Sequence, residues 1–148
     1  MSTDEAVSKD LLQTLEDGAD GFTKGAEKLA GDGHADVAAT FRTFAGQRHQ
    51  FSTELRAMAK QYGDDIHESG SVAATLHRGW MGLKDALSGS SARGIIDSAE
   101  QGEDHAVRTY DEALGKEISP ELRTVVERQF ADIKAAHDTV RALATSER

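Results

Sequence analysis

Apolar residues in this chain recur at steps of three and four, the spacing that lines one face of an α-helix. Leu12, Leu15, Ala19, Phe22, Ala26 and Leu29 form the first stripe and predict a helix from about Thr3 to Ala30, stopped by Gly31-Asp32-Gly33. Val37, Phe41, Phe44, Phe51, Leu55, Met58 and Tyr62 form the second, on a helix from about His34 to Tyr62. Gly63 ends it, as a glycine past a helix C-terminus commonly does. A shorter stripe of Ala73, Leu76, Trp80, Leu83 and Leu87 predicts a helix over about 70–88, capped by Ser69 or Ser71. The next long helix spans about Ala92–Leu114. Gly115 and the run Ile118-Ser119-Pro120 interrupt the chain, and Pro120 suits the first turn of a last helix carrying Leu122, Val126, Phe130, Ile133, Val140 and Ala144.

Short connections join the first two long helices and the last two, so each pair should form an antiparallel hairpin. Residues 63–91 are long enough to bring the chain back along the whole assembly. A four-helix bundle with one long crossover between helices 2 and 3 is the ferritin-like arrangement. All 148 residues fit a single domain.

Composition agrees with an all-α reading: one proline, few strand formers, and an abundance of Ala, Leu, Glu, Asp and Lys. A net charge of −9 repels a phosphate backbone, and no basic run offsets it, so nucleic acid is not an expected partner. The absence of cysteine excludes disulfides, thiolate metal sites and cysteine nucleophiles. The acidic start "MSTDEAVSKD" carries no apolar signal region, and no apolar run approaches the roughly 20 residues of a membrane span. The expected setting is the cytoplasm, away from membranes.

The stretches "DGFTKGAEKL", "QRHQFSTELRA", "ESGSVAATLHRGWMGLKDAL", "EQGEDHAVRTYDEAL" and "VERQFADIKAAHDTVRAL" resemble an uncharacterised bacterial four-helix-bundle family, a domain of unknown function of the ferritin-like superfamily. The resemblance runs from about residue 9 to residue 144, with "SGSVAATLHRGW" its most specific piece. It implies the fold and a bacterial source, and no activity.

A ferritin-like di-metal centre takes a Glu from each of two helices and a Glu-x-x-His from each of the other two. None of the six histidines (34, 49, 67, 77, 105 and 137) follows a glutamate at that spacing; Asp64-x-x-His67 is the nearest match. Folding the first hairpin about residues 31–32 sets Leu15 and Glu16 opposite Gln47 and Arg48. Folding the second about 116–117 sets Glu103 opposite Phe130. The four seats then fall to Glu16, to Gln47 with Gln50, to Glu100 or Glu103, and to Glu127 with Phe130. Amides bind hard cations weakly and phenylalanine not at all, so iron, manganese or zinc held by Glu16, Gln47, Gln50, Glu100, Glu103 and Glu127 is the alternative reading and no cofactor the leading one.

Charges sit in the apolar stripes instead. Arg48 lies within roughly 25° of the centre of its helix's apolar face, and Glu103 and His137 are similarly placed on theirs. A lone buried charge costs several kcal/mol, so Arg48 and Glu103 are expected to pair, with Glu16 or Glu100 as second acceptor and His137 in a separate hydrogen bond. Tyr110 is expected in the core with its hydroxyl at the rim. Gly18, Gly21 and Gly25 line one shoulder of the first helix and invite close approach by the crossover or a second subunit. Trp80 is expected to pack the crossover down; as an alternative, Trp80, His77 and Lys84 form a partner-binding anchor.

No nucleophile elbow or phosphate loop is present. The leading expectation is a non-enzymatic accessory protein, acting through an unidentified protein partner or in stress, with a degenerate metal centre and a homodimeric assembly. The alternative is a metal-binding protein with oxidase activity.

Overall fold

The computed structural model describes residues 3–61, 80, 82–89 and 92–146. Among them the chain is all-α. Long helices α1 (Thr3–Gly31) and α2 (Ala35–Gln61) are followed by a short α3 (Leu83–Ser88) and by long helices α4 (Ala92–Leu114) and α5 (Pro120–Ser146). The predicted end of the second helix at Tyr62 and Gly63, the caps Ser69 and Ser71, and the stripe positions Ala73 and Leu76 lie outside the described residues.

Local chemistry sets the boundaries. Gly33, at φ +87°, takes the left-handed conformation that ends α1. The His34 amide then reaches back to the Leu29 carbonyl at 2.8 Å and the Gly33 amide to Ala30, a paired closure of the last turn. Ser119 caps α5 through its hydroxyl to the Leu122 amide, while its own amide donates to Asp4 near the start of α1 (2.9 Å). Arg123 donates to the carbonyls of Leu114 and Lys116, closing the end of α4.

Two apolar clusters order the helices. One joins Val7, Leu11 and Leu15 of α1 to Leu55 of α2, Tyr110 of α4 and Leu122 and Val126 of α5. The other joins Phe22 and Leu29 of α1 to Phe41 of α2, Leu83 of α3, Ile95 and Ile96 of α4 and Val140 of α5. The second half of α2 therefore lies level with the second half of α4, and these two helices run parallel. The chain leaves α2 at one end of the assembly and enters α4 at the other.

Trp80 precedes α3 rather than lying within a continuous helix over 70–88; its carbonyl accepts from the Leu83 amide at 3.1 Å and Gly82 is the N-cap. Glycine weakens a helix here, and the tryptophan has another task. Its indole fills a notch between α1 and α4 that only glycines allow: a Cβ at Gly21 would lie 2.6 Å from the ring and one at Gly102 2.3 Å. The Phe22 ring meets it edge-on, 5.0 Å between centroids. Trp80 is 2% exposed, so acrylamide should quench its native fluorescence weakly; quenching as strong as in the unfolded chain would contradict this packing.

The glycine shoulder of α1 admits four side chains. Gly18 faces Arg48, Gly21 faces Trp80, and Gly25 faces Phe41 and Ile95. All belong to the same chain, so this shoulder is filled from within the fold.

Candidate functional site

Between the two apolar clusters, α2 and α4 present Arg48 and Glu103 to each other. Arg48 Nη1 donates to Glu103 Oε1 at 2.7 Å and Nη2 to Oε2 at 2.8 Å. The side chains are 1% and 0% exposed. The planar guanidinium matches the carboxylate at two points, the geometry in which a buried pair best offsets its loss of water. Nε donates to Gln47 Oε1 at 3.2 Å, and the guanidinium carbon lies 5.4 Å from the centroid of the Phe22 ring. Gly18 leaves the space for the arginine: a Cβ there would come 3.2 Å from Nη1.

Neither expected second acceptor reaches this pair. Glu16 bonds Arg56 at 2.5 Å, and Glu100 lies 3.8 Å from Arg141. Both point to the partly exposed flanks, where long side chains find cations without losing all their water. Of the other proposed metal seats, Gln47 is engaged with Arg48, while Gln50 and Glu127 are exposed. Among the described residues no three His, Cys, Asp or Glu side chains converge as a metal ion requires. The donor set does not fit a di-metal centre: a fixed guanidinium cation lies against the Glu103 carboxylate, and Asp17, the other buried carboxylate among the described residues, is bonded by Gln13.

His137 does make a separate bond, to Asp104 of α4 (2.6 Å). A hairpin folded about 116–117 would set it opposite Ile96 instead. The connection 115–119 runs past the end of α4 before α5 begins, which moves each α5 residue toward later positions of α4.

The same shift brings Gln129 to Tyr110. The Tyr110 hydroxyl donates to Gln129 Oε1 at 2.8 Å, and Gln129 Nε2 donates to Glu54 Oε1 at 2.8 Å and to the Phe51 carbonyl at 3.4 Å. Arg128 bonds the other oxygen of Glu54. Tyr110 is thus buried with its hydroxyl, not set at a rim, and burial pushes its phenol far above the ordinary value. Gln129 was missed by the Glu-x-x-His spacing, which pointed to 127 and 130; the stripe Leu122, Val126, Gln129, Ile133, Ala136 contains it. Phe130 is half-buried and stacks on Tyr110. Asp17, 2% exposed and bonded by Gln13, is a second polar core residue outside the expected set.

The partner-anchor reading of Trp80 is replaced by its burial within this chain. Lys84 is exposed on α3, and His77 lies outside the described residues. A cleft of about 160 Å³ between α1 and α4, lined by Asp10, Gln13, Thr14, His105, Thr109 and Glu112, is small beside the roughly 300–1,000 Å³ of ordinary ligand sites. No helix among the described residues is long and apolar enough to cross a membrane.

No curated protein matches the sequence. One family model does, from the first turns of α1 to the loop after α4; α5, with its stretch "VERQFADIKAAHDTVRAL", lies beyond the match. That model, covering residues 7–116, describes a domain of unknown function, DUF2383, and the chain belongs to this family.

Proposed function

We propose that this chain is a ferritin-like four-helix bundle in which an arginine–glutamate pair stands where such bundles carry a metal centre. It works without metal chemistry, as an accessory protein acting through protein contacts or in stress. The observation that carries the reading is the two-point bond of Arg48 to Glu103 between the two halves of the core. The parallel course of α2 and α4 supports the bundle type, because one long crossover is what that topology requires. The pair supplies internally the charge balance that carboxylates around bound cations would otherwise need.

Metal content tests this. Protein purified without chelators or a histidine tag should carry well below one equivalent of iron, manganese or zinc, and should not gain one after incubation with each ion and desalting. Retention of about one equivalent or more, abolished by Glu103→Ala, would overturn the proposal.

A further inference from the structure

His137 occupies a place that the ion-pair account leaves unused. Its side chain is 13% exposed where α5 passes α4. Both ring nitrogens face carboxylates: Nε2 lies 2.6 Å from Oδ1 of Asp104 on α4, and Nδ1 lies 3.3 Å from Oδ1 of Asp138 on α5. A neutral imidazole can keep the bond to α4 through its Nε2–H, but only an imidazolium makes that bond charge-assisted while also donating to Asp138 within α5. We propose that His137 is a proton-operated clamp between α4 and α5, closed when the ring is charged against the Asp104 carboxylate and slackened when it loses that charge.

The charges around the ring favour the closed form. From α4 it is faced by Asp104; from α5 by Asp138 and Arg141, and Arg141 is itself drawn toward Glu100 of α4. Burial works against the charged ring, but the hydrogen bonds to Asp104 and Asp138 outweigh it, and His137 is held above the ordinary histidine value of 6.5. The folded chain then binds this proton more tightly than the unfolded chain does. The clamp's contribution is complete below about pH 6.5 and is lost as pH rises through the raised native value. Next along α5 are Val140 and Ala144, which share an apolar cluster with Ile96 and Ala99 of α4. Slackening the clamp loosens that cover, so the end of α5 is the part of the fold that answers to pH.

The full chain can be titrated by NMR of its imidazoles, with amide hydrogen exchange read over residues 137–146. His137 should titrate above 6.5, and Asp104→Asn, which keeps an acceptor oxygen and removes its charge, should lower that value. Below pH 6.5 wild-type amides should be protected about two- to fivefold better than those of His137→Gln, the range of a partly exposed pair, with the ratio approaching one at alkaline pH. A ratio independent of pH, or a His137 titration at or below 6.5, overturns the clamp. If His137→Gln does not fold, the Asp104→Asn titration decides, and an unmoved His137 value counts against it.

Discussion

Replacing Glu103 with alanine should destabilise the folded chain by about 3–5 kcal/mol in denaturant unfolding, because it strands the Arg48 guanidinium in the core. Among the expected acceptors, Gln47 offers one neutral oxygen, and Glu16 and Glu100 are held elsewhere. The double change Arg48→Met with Glu103→Leu should recover much of the loss, since apolar side chains of similar volume replace a buried pair at small cost. If the double variant proved as unstable as the single one, the pair would be holding the fold by more than its charge balance.

The second large effect belongs to Trp80. Trp80→Ala removes an indole enclosed by Gly21, Gly102 and Phe22 and should cost about 3–5 kcal/mol. Gly102→Ala should also destabilise the wild type, by about 1–3 kcal/mol, because its Cβ would come 2.3 Å from the ring. In the Trp80→Ala background the sign should reverse. There the methyl group enters vacated space and alanine's better helix propensity contributes up to about 1 kcal/mol. Equal penalties in both backgrounds would show that Gly102 is needed for something other than the indole.

The sequence carried the helices well and the polar contacts unevenly. Apolar stripes and glycine stops are local signals, which is why α1, α2 and α4 run close to their expected spans. Arg48 and Glu103 were legible as a pair because each stands alone at the centre of an apolar face, and a buried charge needs a counter-charge. Their surroundings were not, because second contacts depend on helix register. A connection that continues a few residues past α4 moved Asp104 under His137 and Gln129 under Tyr110. The seat of Trp80 was half legible: the glycine shoulder of α1 announced a close approach. Gly102, lying between charged and amide residues of α4, gave no such sign, since the notch exists only once two helices and the crossover meet. Ser119 as the α5 cap was overshadowed by the stronger signal of Pro120 beside it.

Glu103, we propose, answers an arginine and not a metal ion. The most direct measurement is the unfolding free energy of wild type and Glu103→Ala, each before and after stripping with a strong chelator. The ion-pair account predicts the same gap of about 3–5 kcal/mol in both conditions. A gap that closes once the wild type has been stripped would contradict it and assign Glu103 to a metal site.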